Sequence, residues 1–295
     1  MQSVRYINQG DLDASLGYKL QKTFGFMEAA VFSLEGLGAT VFGCFMFVES
    51  IGGMLAGLLL TLAGIALLFA HLGHPRKAWR ALSCLRTSWI SRGTAFVLTF
   101  MVCAGLTFLL AALGLRLPGA FAWALRALVL VSALLVLVYP GFVLAYSPSI
   151  PFWNSGLLHA VFALSGVTSG LAVCIGYLAV APEPASAVGL PILLWVQIAL
   201  LAVLLASLLA YVVVMHSAGR AAEESVRFLL STAGRGEFLF VGCVLGILTP
   251  ICLTLGAMGS SGMASLTVLA GIGKIAGDIF LRGVMIKAGI YDPVY

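Results

Sequence analysis

The sequence predicts an all-α integral membrane protein of about eight transmembrane helices, arranged as two four-helix bundles. Three observations carry that reading. Of 295 residues, 61% are hydrophobic and only 9% are charged, against roughly 25% charged in an ordinary soluble domain. The mean hydropathy is +1.10. The apolar runs, such as 54–69 and 128–138, are continuous rather than alternating, which suits helices and not barrel strands. Too little polar surface remains to wrap a water-soluble core, so a soluble catalytic domain is excluded. A bilayer supplies the apolar solvent, and it admits only segments that satisfy their own backbone groups.

Apolar stretches of roughly 20 residues predict spans at 26–48, 50–72, 94–115, 120–143, 156–181, 189–215, 238–257 and 262–285. Residues 1–25 form a polar N-terminal segment carrying Arg5, Asp11, Asp13, Lys19 and Lys22. They contain no apolar h-region and do not read as a cleavable signal. Residues 26–287 form the membrane domain and 288–295 a C-terminal tail. The 34 glycines allow close helix packing.

An even number of spans puts both ends on one side. That side collects thirteen cations: Arg5, Lys19, Lys22, Arg76, Lys77, Arg80, Arg86, Arg92, Arg220, Arg227, Arg235, Arg282 and Lys287. The other side holds two, Arg116 and Arg126. Because Lys and Arg favour cytoplasmic loops, the expectation is a multi-pass protein of the inner (cytoplasmic) membrane with both termini cytoplasmic. A basic face built to dock an acidic protein is the other explanation. The longest polar connections, 73–93 and 216–237, lie on this face. Six cysteines are scattered singly without a CxxC, which reads as small apolar filler and gives no cluster-ligand spacing.

Few residues are left to carry chemistry. His71 ends the second predicted helix, His74 follows it, His159 opens the fifth and His216 closes the sixth, so all four histidines fall toward the basic side. Histidine exchanges a proton near physiological pH, as quinone chemistry requires; an interfacial histidine that only bonds a headgroup is the plainer alternative. Two histidines from different helices can also hold haem iron, and His159 with His216 is the pair to consider. Glu28 and Glu35 are seven residues apart, on one face of the first helix. Intramembrane carboxylates are costly, so they read either as a proton path leading inward or as one interfacial group and one held within the bundle. Lys274, Asp278 and Arg282, spaced i, i+4, i+8, read as an internal salt bridge or as a proton or ion route. Tyr139 precedes Pro140, which breaks the helix ladder, and its hydroxyl can donate to a ligand carbonyl. Pro75 starts a short interfacial element in which Arg76 and Arg80 flank Trp79.

The stretch 71–93, HLGHPRKAWRALSCLRTSWISRG, resembles the signature of the NrfD family, the membrane anchors of DMSO reductase and polysulfide reductase type. LEGLGA at 34–39, YPG at 139–141, YSPSIPFW at 146–153 and DIFLRGVM at 278–285 are similar to further elements of that family. The resemblance implies an eight-helix anchor without haem or an iron–sulfur cluster of its own. Such an anchor exchanges electrons between menaquinone or ubiquinone and a ferredoxin-like four-cluster iron–sulfur subunit, which wires a molybdopterin catalytic subunit. By residue matching, His71 bonds the quinone head group and Tyr139 is a second contact. The loop bearing Arg76, Lys77, Arg80, Arg86 and Arg92 then faces the iron–sulfur partner. The sequence departs from the family where Glu35 replaces a usual glycine and Glu28 a frequent helix-starting proline. A secondary transporter or proton-translocating subunit using Glu28, Glu35, Lys274 and Asp278 is the competing reading; it predicts inverted repeats and broken helices, neither of which is evident in the sequence.

Overall fold

A computed structural model of the chain describes residues 18–72, 75–181, 186–231, 234–259 and 262–292. Among the described residues, eight helices are long and apolar enough to cross a membrane. In order they are α1 (Phe26–Val48), α2 (Ile51–His71), α3 (Trp89–Ala112), α4 (Gly119–Ala145), α5 (Gly156–Val180), α6 (Ser186–Ser217), a seventh span formed by a π-helical stretch (Gly236–Leu248) running into α8 (Thr249–Ala257), and α9 (Met263–Lys287). The short helix α7 (Arg220–Leu230) lies between α6 and the π-helical stretch.

Most boundaries fall within three residues of expectation. The exception is α3, which starts at Trp89 rather than 94, because the Ser88 hydroxyl accepts the Ser91 N–H and caps the helix. The element expected at Pro75 is a 3-10 helix, Pro75–Leu82. The connection after α6, expected only as a polar loop, contains α7. It buries Ala221, Ala222, Ser225, Val226 and Leu229 and pairs Arg227 with Glu223 and Glu224 on its outer face.

The helix α1 is central, packing on α2, α4, α5 and α9, and it joins the group α1–α4 to the group α5–α9. Small residues make these crossings close. A methyl group at Gly38 would lie 2.6 Å from the Gly57 carbonyl oxygen of α2. A methyl group at Gly246 would lie 2.8 Å from the Gly277 Cα, so α9 touches the π-helical span backbone to backbone. The corner between α1 and α2 is tight enough to put Glu49 in the left-handed region, φ 57°, which costs a non-glycine residue roughly 1–2 kcal/mol. Its carboxylate is 3.0 Å from Arg126 of α4.

A two-residue strand β1 (Lys19–Leu20) pairs antiparallel with β2 (Ile290–Tyr291). Gln21 adds bonds to the Ile286 carbonyl (2.9 Å) and, through its own backbone N–H, to the Gly289 carbonyl (2.9 Å). The segments before α1 and after α9 therefore share a side, as an even span count requires. The Asp292 N–H reaches the Ser149 carbonyl, which places the α4–α5 connection on that side too. One cation is corrected by the fold. Arg282, counted with the basic face, is 1% exposed inside the bundle, because its partners lie on α5 and α9 and not in water.

Candidate functional site

Two carboxylates on one face of α1 build the site. Glu28 stands in the first turn, where the positive end of the helix dipole favours a carboxylate. Its Oε2 accepts the Gly25 N–H at 2.6 Å, and its Oε1 is 3.4 Å from His71 Nε2 at the end of α2. His71 keeps 55% of its side chain exposed and Glu28 only 17%, so the pair sits at the mouth of the bundle. Two turns further in, about 10 Å along the axis, Glu35 is 1% exposed. The Tyr139 hydroxyl donates to Glu35 Oε2 at 2.5 Å.

Local packing fixes this inner pair. Gly64 of α2 leaves room for Glu35, since a Cβ there would stand 2.9 Å from Glu35 Cγ. Gly93 of α3 lies against the Tyr139 ring, and Phe32 meets that ring edge-on at 5.6 Å. A tyrosine hydroxyl has one hydrogen to give. Here it goes to Glu35, which commits the hydroxyl hydrogen to a buried carboxyl group and leaves its oxygen lone pairs as acceptors.

One turn nearer the basic side on the same α3–α4 interface, Trp89 stacks on Phe142 at 4.4 Å, and Phe142 meets His159 of α5 at 4.3 Å. His159 Nδ1 lies 3.0 Å from the Ser155 carbonyl. Its Nε2 is buried and has no hydrogen-bond partner among the described residues. Sequence reasoning weighed His159 only as a haem ligand; the signal it missed was position, close after the YSPSIPFW turn and facing Gly141 beside Tyr139. His216 stands exposed at the end of α6.

A buried ionic cluster lies on α9 and α5. Arg282 Nε is 3.1 Å from Asp278 Oδ1, its Nη2 donates to the Phe162 carbonyl at 2.7 Å, and its guanidinium lies 5.0 Å from the Phe162 ring centroid. The Ser165 hydroxyl donates to Asp278, and Lys274 Nζ donates to Ser165 Oγ at 3.3 Å. The i, i+4, i+8 spacing does align the three charges, but Lys274 reaches Asp278 through Ser165 of α5. All three are 1% exposed. Gly166 brings the cluster to α1, since a Cβ at that position would lie 3.2 Å from Arg282 Nη2 and 4.0 Å from the Gly36 Cα, the neighbour of Glu35.

On the outer face, Lys77, Arg80 and Arg86 are exposed, and Trp79 beside them is 68% exposed. Arg92 is committed to the loop itself: it donates to the Leu85 and Arg86 carbonyls at 2.9 and 2.7 Å and covers Trp89 at 4.5 Å. The side chain of Arg76, with His74 and Arg5, lies outside the described residues.

Residues 39–293 match the model of the family described as Polysulphide reductase, NrfD. The chain belongs to the NrfD family. It is thus related to membrane subunits of oxidoreductase complexes, as the motifs implied. His71, Tyr139, Asp278 and Arg282 fall inside the matched residues, and Glu28 and Glu35 fall before them. Over 40 residues the chain is 55% identical to one of the subunits of the sulfite dehydrogenase of Allochromatium vinosum, a match covering 14% of this chain and 12% of that protein.

Proposed function

We propose that this NrfD-family chain is the quinone-reactive anchor of a multisubunit molybdopterin oxidoreductase of DMSO reductase type. It passes electrons between membrane quinone and an iron–sulfur subunit docked on the basic face. The observation that carries this reading is the pair of carboxylates on α1, each joined to a proton-exchanging partner, Glu28 with His71 at the mouth and Glu35 with Tyr139 inside. The residues present fit a quinone. Its carbonyl oxygens suit His71 and the unpartnered Nε2 of His159, which the Trp89–Phe142 stack holds in place.

When bound, a quinone supplies two-electron chemistry that must be matched by proton transfer at its oxygens. His71 turns Nε2 toward Glu28, so a proton is exchanged with the quinone at the other ring nitrogen, Nδ1, and Glu28 relays the replacement from the aqueous side. Tyr139 and Glu35 hold a second proton where water is excluded. Exposed Lys77, Arg80 and Arg86 orient an acidic partner surface and speed its approach. The likeness to part of a sulfite dehydrogenase supports membership in a multisubunit complex. The cation bias supports an inner-membrane location with the basic face cytoplasmic.

A second reading, proton or ion transport across the bilayer, is favoured by the buried Lys274–Ser165–Asp278–Arg282 cluster, which lies beside the inner pair across Gly36 and Gly166. Purifying the native complex and assaying quinol oxidation and quinone reduction separates the two. His71→Ala is expected to lower turnover by at least about a hundredfold with the partner subunits still assembled. Unchanged turnover removes His71 from the site. A preparation with no iron–sulfur subunit and no quinone response favours transport.

A further inference from the structure

The face opposite the basic one carries a cavity of about 470 Å³ between the ends of α1, α2, α3 and α4. Both cations assigned to that face, Arg116 and Arg126, line it. So does Glu49, whose Oε1 is 3.0 Å from Arg126 Nη2. Deeper walls are apolar, from Met46, Met54 and Leu110. The helices end at Val48 and Ala112 and begin at Ile51 and Gly119 around its mouth. The charged rim therefore sits where the spans leave the hydrocarbon, and the apolar walls sit about a turn below.

We propose that this cavity binds one zwitterionic aminophospholipid, with its phosphate on the two guanidinium groups and its ammonium on Glu49. The rim carries two positive charges and one negative, and such a headgroup offers each an opposite partner. Guanidinium forks match phosphate oxygens in a bidentate manner. The Glu49 side chain is 70% exposed, so its second oxygen faces outward while the first holds Arg126. A headgroup bearing only hydroxyls beside its phosphate leaves that carboxylate facing a second anion. The volume lies in the ~300–1,000 Å³ range of small-molecule sites, and Trp123, 5.7 Å from Arg126, is placed as an interfacial belt residue. Two of its four walls belong to α1 and α4, which carry Glu35 and Tyr139, so the lipid braces the far end of the helix pair that holds the inner site. The inference does not depend on the quinone reading.

Native mass spectrometry of the full chain in detergent, with added phosphatidylethanolamine or phosphatidylglycerol, tests it. The wild-type chain is expected to retain one phosphatidylethanolamine with a preference over phosphatidylglycerol of about tenfold, corresponding to one charge-pair contact of about 1.4 kcal/mol. Arg116→Gln, in the exposed α3–α4 loop, is expected to lower retention about tenfold. Glu49→Gln should keep lipid binding but remove the preference. Equal retention of the two lipids by the wild type, or undiminished retention by Arg116→Gln, overturns the proposal. Displacement by millimolar phosphoethanolamine without acyl chains overturns the lipid assignment in favour of a soluble phosphate. If Arg116→Gln fails to fold, the headgroup preference of the wild type and its loss in Glu49→Gln still decide.

Discussion

Asp278→Leu is the most direct test of the buried cluster. In the folded chain the Asp278 carboxylate faces Arg282 at 3.1 Å and accepts from Ser165, which in turn accepts from Lys274. Arginine stays protonated in proteins. Removing the carboxylate therefore leaves a guanidinium with, among the described residues, the Phe162 carbonyl and ring as its contacts. Breaking a buried pair by removing one partner costs about 3–5 kcal/mol. The lost Ser165 bond adds about 0.6 kcal/mol, the typical value for an interhelical hydrogen bond in a membrane protein. Replacing both charges is different, because a well-packed apolar pair is close to neutral against the ion pair it replaces. Asp278→Leu with Arg282→Met should thus recover the part of the loss that comes from the stranded guanidinium, while Lys274 is still left on Ser165. Equilibrium unfolding in mixed detergent micelles, followed by helical circular dichroism, measures both variants. Glu223→Gln on α7 is the control, because its partner Arg227 is 49% exposed and such pairs contribute under about 1 kcal/mol. If the single variant is within about 1 kcal/mol of wild type, or the double variant is no more stable than the single, Asp278 is not the charge that makes Arg282 tolerable.

Tyr139→Phe and Glu35→Gln should each lower quinone turnover by about tenfold or more, with the double variant no worse than either single, because the two act as one unit; additive losses measured in the same assay would separate them. Gly277→Ala should destabilise by about 1–3 kcal/mol through overpacking against Gly246, whereas Gly105→Ala, with nothing within 4 Å of its new methyl group, should be silent in the same unfolding experiment. Reversing Lys77, Arg80 and Arg86 to glutamate should reduce copurification of the proposed iron–sulfur partner, most strongly at low ionic strength, and recovery unchanged at every salt concentration would move the docking surface elsewhere.

The eight spans were legible because hydropathy over about 20 residues is what a bilayer selects. The start of α3 was not, since Arg92 and Ser91 depress the local hydropathy, and the signal that decides it is the single capping hydroxyl of Ser88. The helix α7 was legible in principle. Its buried positions 221, 222, 225, 226 and 229 follow a helical period, but a polar connection between long apolar runs drew no attention to periodicity. The face shared by Glu28 and Glu35 followed from spacing alone. Their partners did not, because Tyr139 is 104 residues from Glu35 and only packing through Gly64 and Gly93 decides that they meet. The same holds for Lys274, where the i, i+4 register suggested a direct pair and the serine of another helix stands between.

The β1–β2 clasp has a mechanical meaning for the site. A helix in a bilayer can slide along its axis at little cost in apolar contact. A slip of α1 by one residue would carry Glu28 and Glu35 about 1.5 Å and turn them by about 100°, away from His71 and Tyr139. Gln21, tied to the Ile286 and Gly289 carbonyls, acts as a stop on that piston. The stop is supplied by the last turn of α9 and the residues just after it. The alignment of both carboxylates with their partners is therefore complete only when α1 and α9 are docked together.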